Sequence, residues 1–220
     1  MTEMNKYINF IRDVKIRVLR TIDFHVPEDI CNAEIYRGTF DIKVAAIDAV
    51  SNEGLFLEFG VWRGESINFL AALIRPRIIY GFDSFKGLPE FWRRNCPKGT
   101  FNLNGRIPQV RKNVKLIKGQ FDKTLPKFVK QIKSKKAAFV HIDSDLYRSC
   151  KTILNNLVSL DLDGTVMLFD EFYNYSGWET GEYKALMEFL SESKYAAQYI
   201  GRVKYGEQVM IKLKKKNNRM

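Results

Sequence analysis

Cysteine is scarce in this chain. Three in 220 residues, Cys31, Cys96 and Cys150, stand far apart with no Cys-x-x-Cys spacing, which argues against a disulfide framework or a zinc site. A reducing, cytoplasmic setting is the expectation that follows. Long apolar runs are missing as well: none approaches the roughly 18 residues that a membrane span needs. The opening residues MTEMNKYINF lack the charged-then-apolar order of a secretory signal. Acidic residues fall short of basic ones, 25 against 36, leaving a net charge of +11. Such an excess favours anionic partners. It is scattered over residues 12–20, 130–136 and 212–219, however, and no basic, aromatic-studded stretch of the kind that tracks nucleic acid stands out. Nucleic acid is therefore not the expected partner.

What the chain does have is enough apolar content, 45% of its residues, to bury one substantial core. Tyr7, Ile11, Val14 and Val18 recur at steps of four, three and four, which predicts an amphipathic helix over 6–22. A second helical stretch over 40–50 breaks at Ser51-Asn52-Glu53-Gly54. An alternation follows: strand 55–59, helix 64–75, strand 78–82, strand 114–118, helix 123–134, strand 137–142, helix 148–159, strand 165–169. Alternation of this kind implies a parallel sheet wrapped by helices. A last helix carries Tyr183, Leu186, Met187 and Leu190 on one face; two strand-like runs, 197–203 and 208–213, then flank Lys204-Tyr205-Gly206-Glu207 as a hairpin. The expected fold is a doubly wound, Rossmann-like α/β sheet of seven strands, five parallel plus a C-terminal antiparallel hairpin, with N-terminal helices. The chain divides into a helical cap over 1–53, the α/β domain over 54–214 and a basic tail over 215–220, all in one folding unit. Residues 84–112, with Phe85, Phe91, Trp92 and Phe101 among glycines and prolines, are long for a connection and read as a lid.

Ligands of open α/β sheets sit at the carboxyl ends of the strands. The first such end, Glu58-Phe59-Gly60-Val61-Trp62-Arg63-Gly64-Glu65-Ser66, offers glycine and the free N–H groups of a helix start. It lacks the full GxGxxG of pyrophosphate-binding turns, which suits a ligand bearing a carboxylate and no phosphate. The second ends in Gly81-Phe82-Asp83-Ser84-Phe85, with Asp83 placed to accept hydrogen bonds from ribose hydroxyls. Two further ends are acidic: His141-Ile142-Asp143-Ser144-Asp145 and Phe169-Asp170-Glu171. Asp143, Asp170 and Glu171 would meet at one edge of the cleft, where a divalent, oxygen-seeking cation relieves their repulsion. By strand parity His141 belongs to the core. With the turn after residue 118 included, the candidate ligand-binding set is Glu58, Gly60, Val61, Ser66, Asp83, Ser84, Phe85, Gln120 and Asp143.

Five motifs in order resemble the macrocin O-methyltransferase-like family of metal-dependent sugar methyltransferases, a class I methyltransferase group. They are Leu57-Glu58-Phe59-Gly60-Val61-Trp62-Arg63-Gly64, Tyr80-Gly81-Phe82-Asp83-Ser84-Phe85-Lys86-Gly87-Leu88-Pro89-Glu90, His141-Ile142-Asp143-Ser144-Asp145-Leu146-Tyr147, Phe169-Asp170-Glu171, and Gly177-Trp178 with Gly181-Glu182-Tyr183-Lys184-Ala185. The resemblance implies that Glu58, Gly60, Asp83 and Ser84 hold S-adenosylmethionine and that Asp143, Asp170 and Glu171 hold Mg²⁺ or a similar ion. It also implies a sugar or nucleotide sugar as acceptor. Glu171 stands where the family often has Asp, and the segment before residue 55 is short, so substrate-covering elements are either missing or supplied by a partner subunit of a homo-oligomer.

Magnitudes favour the metal. A hydroxyl near pKa 16 and an aspartate near 4 differ by roughly 12 units, about 16 kcal/mol; a metal that lowers the hydroxyl by about 8 units leaves roughly 5 kcal/mol. Asp143 is then the expected proton acceptor. Two alternatives stand beside this reading. One is a metal-independent methyltransferase acting on an amine or RNA, although Asp143-Ser144-Asp145-Leu146 replaces the tetrapeptide that favours nucleobase amines. The other is a cofactor-binding protein without catalysis.

Overall fold

The computed structural model describes residues 26–132 and 135–216. In chain order the elements are α1 (Glu28–Cys31), β1 (Glu34–Tyr36), α2 (Thr39–Asp48), β2 (Leu55–Phe59), α3 (Glu65–Leu73), β3 (Ile79–Asp83), β4 (Val114–Lys118), α4 (Phe121–Gln131), β5 (Ala137–Ile142), α5 (Tyr147–Leu157), β6 (Val166–Phe169), α6 (Glu182–Glu192), β7 (Tyr195–Val203) and β8 (Val209–Lys215). The helix expected over 6–22 and the end of the basic tail lie outside the described residues. No helix among the described residues is long and apolar enough to cross a membrane.

One mixed sheet runs in the order β1-β7-β8-β6-β5-β2-β3-β4. Strands β2 to β6 are parallel to one another, and β8 is antiparallel to both β6 and β7. The five parallel strands and the closing hairpin are those expected from the sequence. The strand count is corrected from seven to eight, because β1 adds to the outer edge, pairing parallel with Gly201–Val203 of β7. Three residues are too few to show a period. What seats this strand is distant in sequence: a Cβ at Gly201 would stand 2.7 Å from the Tyr36 ring, so only glycine leaves that ring its place.

Burial explains the layering. Strands β2, β5 and β6 are buried at every position, as parallel strands covered on both faces must be. One face packs Leu55, Leu57 and Phe59 against α4, α5 and α6 through Leu125, Ile153, Leu154, Leu186 and Phe189. The other packs Phe56, Ile79 and Phe139 against α2 and α3 through Ile42, Ala46, Ile67 and Leu70. Successive helices cross to opposite faces between β2 and β5, and this reversal opens a crevice at their carboxyl ends. There the strands nearly touch. Gly60, at φ +94°, would bring a Cβ within 1.7 Å of the Asp143 carbonyl oxygen, so the residue is glycine because one strand end is pressed onto the next.

Candidate active site

The crevice is lined by Gly60, Val61, Ser66, Asp83, Ser84, Gln120 and Asp143 of the sequence-derived set. Asp83 organises its floor. One carboxylate oxygen accepts the backbone N–H of Val61 (2.9 Å) and of Trp62 (2.7 Å), and the other accepts that of Phe85 (2.7 Å). A carboxylate offers about four acceptor positions, so roughly one remains for a ligand hydroxyl, and the same acid fixes the glycine turn. Ser66 at the start of α3 turns a buried hydroxyl with no hydrogen-bond partner among the described residues towards this space. Glu58 and Phe85 sit elsewhere: both are fully or almost fully buried and neither lines the crevice. The segment 84–112 covers one side through Leu88, Pro89 and Phe101, with Phe101 meeting Trp62 edge-on at 5.3 Å. Arg93 ties the segment to the hairpin by an ion pair with Glu207 at 2.8 Å, its guanidinium 3.8 Å from the Trp92 ring centre.

Beside the crevice, among the described residues, stand two groups of metal-competent side chains that share Asp143. His141, Asp143 and Asp170 form one; Asp143, Asp145 and Glu171 form the other, the donor atoms in each lying within 4.8 Å of one another. The three acids picked from the sequence therefore do not form a single group. Strand parity divides them. Leu168 faces α2 and α3, and Asp170 continues that alternation. Glu171 turns the other way, where its backbone N–H donates to Glu182 of α6 at 3.3 Å.

On the α2 side runs a buried polar chain that the motifs did not reveal. Lys43, only 5% exposed, places Nζ 3.2 Å from Asp170 Oδ1. The Gln208 side-chain amide donates to Asp170 Oδ2 at 3.1 Å. His141 lies between two acids, Nε2 3.5 Å from Asp170 and Nδ1 3.7 Å from Glu58. These contacts serve charge pairing, since neither ring nitrogen makes a hydrogen bond of good geometry among the described residues. Burial and the neighbouring Lys43 ammonium push the His141 pKa down, but contacts with Asp170 and Glu58 win and carry it to about 9. Burial would likewise raise Asp170, yet His141 and Lys43 hold it well below the usual carboxylate range.

The other acids are raised. Burial, then Asp170 and Asp145, push Asp143 well above the usual value. Burial and the surrounding acids, with Arg93 opposing, carry Asp145 to about 7. Burial and repulsion from Asp145 and Asp143 also raise Glu171 and Glu182. A consequence for stability can be measured. Asp145 titrates near 4 when unfolded, and His141 near 6.5, so both hold protons more tightly when folded. Stability then declines as pH rises, through Asp145 from about 4 to 7 and through His141 from about 6.5 to 9. Urea denaturation without divalent ions is expected to show a midpoint falling from pH 5 to pH 9; a midpoint that rises over that range contradicts these protonation states.

Compared with known proteins, residues 57–172, just over half of the chain, match a family model described as a methyltransferase domain. The 8-demethyl-8-(2,3-dimethoxy-alpha-L-rhamnosyl)-tetracenomycin-C 4'-O-methyltransferase of Streptomyces olivaceus is 30% identical over 142 residues, 54% of this chain and 53% of the relative. The chain thus spans about half the length of that curated relative. Among solved structures, the O-methyltransferase NovP aligns with a TM-score of 0.60 at 20% identity over 79% of this chain and 78% of its own. The calicheamicin methyltransferase CalS11 aligns at 0.61 and 19% identity over 91% and 90%. At such identities these two likenesses speak for the fold. Together with the family match and the crevice at the sheet's switch point, they lead to one conclusion: the chain belongs to the methyltransferase-domain family.

Proposed function

We propose that this protein is an S-adenosylmethionine-dependent O-methyltransferase acting on a hydroxyl of a sugar or nucleotide sugar with the help of a divalent cation. The observation that carries the reading is the meeting of two features at Asp143. A crevice with an Asp83-braced glycine turn opens on one side of it, and a knot of buried, mutually repelling carboxylates lies on the other. The similarity to a tetracenomycin-sugar 4'-O-methyltransferase supports the choice of acceptor.

The crevice suits the methyl donor in particular ways. The free N–H groups at the start of α3 and the unpartnered Ser66 hydroxyl suit a carboxylate-bearing tail, and the remaining acceptor position of Asp83 suits a ribose hydroxyl. The acid knot fits a hard divalent ion: Glu171 keeps a buried oxygen without a hydrogen-bond partner among the described residues, and the donors are carboxylates with no thiolate among them. Asp143 and Glu171 are the acids we assign to it, and the ion when bound lowers the pKa of the acceptor hydroxyl. Asp143 takes the hydroxyl proton, since it alone belongs to both acid groups and also lines the crevice. The covering segment with Leu88, Pro89 and Phe101 excludes water and holds the acceptor in line.

Titration calorimetry with S-adenosylhomocysteine, with and without Mg²⁺, followed by a screen of nucleotide sugars, tests this reading. Binding is expected, and Asp83→Ala is expected to weaken it by about 1.5–3 kcal/mol, the worth of a charged hydrogen bond. Unchanged affinity in that variant removes Asp83 from the site, and no binding to the wild type removes the methyltransferase reading.

A further inference from the structure

We infer that the end of the sheet remote from the crevice is a docking surface for an anionic lipid bilayer, built from two lysine-rich stretches that stand far apart in sequence. Residues 130–136 and 212–219 look scattered along the chain. Folding joins them. Lys136 precedes β5, Asp163 and Gly164 precede β6, and β8, running antiparallel to β6, brings Lys212, Lys214 and Lys215 to the same edge. Together with Ser51 and Asn52, which precede β2, these residues line one open hollow. Because the parallel strands β2, β5 and β6 all begin here, the hollow lies at the opposite end of the sheet from the crevice.

Strand alternation sets the lysines out. Ile211 and Leu213 of β8 are buried, so Lys212 and Lys214 turn away from that side of the core. Several stems are steadied by neutral partners that leave the charge intact. Lys212 Nζ donates to the Ser51 hydroxyl at 3.1 Å, Lys135 Nζ to the Val129 carbonyl at 2.7 Å, and Lys216 Nζ to the Ser193 carbonyl at 2.9 Å. Against Lys135, Lys136, Lys212, Lys214, Lys215 and Lys216 stand Asp161, which pairs with Lys215 at 3.1 Å, and Asp163, which accepts the Lys215 backbone N–H at 2.9 Å. The balance of this surface is therefore positive.

The make-up of the patch favours a bilayer over nucleic acid. Among the described residues, every cation lining the hollow is a lysine and no aromatic ring lines it. The planar guanidinium that grips bases and phosphates through paired hydrogen bonds is thus missing there, as are the rings on which bases stack. Ammonium groups on long stems respond instead to the field of an anionic leaflet, which asks for no fixed geometry. The third basic stretch, residues 12–20, points to the same partner: it falls where Tyr7, Ile11, Val14 and Val18 recur at helical spacing, the composition of a helix that lies in a bilayer interface. Docking by this end leaves the crevice at the far end, facing water and a water-borne acceptor.

The test is cosedimentation of the full chain with vesicles, which needs neither donor nor acceptor. Wild type is expected to bind vesicles containing phosphatidylglycerol, to ignore pure phosphatidylcholine, and to be released in about 1 M salt, where the screening length falls to about 3 Å. Lys136→Gln/Lys212→Gln/Lys214→Gln is expected to weaken binding on the order of a hundredfold, about fivefold for each ammonium removed, with the melting temperature of the wild type. Lys214→Gln alone, at an exposed position, is expected to lose about fivefold and serves where the triple variant misfolds. A control that removes as many charges from other exposed sites, Lys115→Gln/Lys123→Gln/Lys184→Gln, is expected to bind like the wild type. Equal losses in control and patch variants reduce the effect to net charge and overturn the docking surface, as do unchanged binding in the patch variants and no binding by the wild type. Tighter binding of a single-stranded RNA than of the vesicles at the same salt, weakened by the patch variants, makes nucleic acid the occupant and overturns the lipid.

Discussion

Asp143→Asn is expected to reduce methyl transfer by more than about a hundredfold, within the range for losing a positioned base, while S-adenosylhomocysteine still binds. The reason is position. Asp143 follows directly on β5, its backbone N–H donates to the Phe59 carbonyl at 2.9 Å, and its carbonyl packs on Gly60. The backbone is therefore locked by contacts that asparagine preserves. What asparagine removes is the carboxylate that belongs to both acid groups and also lines the crevice. A variant with near wild-type turnover of its acceptor would remove Asp143 from the proton-accepting role; a variant that fails to bind the donor would make it part of the binding floor instead.

Lys43→Met is expected to lower stability by about 3 kcal/mol, the low end for leaving a buried charge without its partner. For a chain of this size that is a fall of roughly 6–12 °C in melting temperature. Lys43 is almost fully buried on α2 and Asp170 nearly so; removing the ammonium leaves the carboxylate in the protein interior. Gln208 and His141 remain beside Asp170, which is why the low end applies. The double variant Lys43→Met/Asp170→Asn should recover much of the loss, because no unpaired charge is then buried. A single variant melting with the wild type would mean that the pair carries no net stabilisation.

Much of the architecture was legible because it is local. Strands β2, β5 and β6 announce themselves as short apolar runs, and the hairpin β7–β8 as two runs about a Gly-containing turn. The crevice follows from the switch between β2 and β5, which is a matter of strand order. Lys43 was not legible. On a helix whose other residues are mixed, a lysine reads as solvent-facing, and nothing nearby in sequence tells that Asp170, 127 residues on, will stand beside it. Asp145 lay in view within Asp143-Ser144-Asp145, but its approach to Glu171 depends on a left-handed backbone that a non-glycine residue does not advertise. Glu58 illustrates the converse. Its place at the end of a strand beside a glycine turn suggested a ligand contact, and the parity of β2 instead carries it to the α2 face with His141. The charge excess is likewise a poor guide, since the site itself is acidic and several lysines are tied down, Lys215 to Asp161 and Lys151 to Glu188.

The most direct test of methyl transfer to a sugar uses S-adenosylmethionine labelled in its methyl group, with purified protein, a panel of nucleotide deoxysugars, and parallel reactions with Mg²⁺ and with chelator. Label appearing on the sugar with Mg²⁺ and absent with chelator is the expected result. Transfer at the same rate in chelator would contradict the role of the metal, and donor binding without transfer to any sugar of the panel would contradict the function proposed.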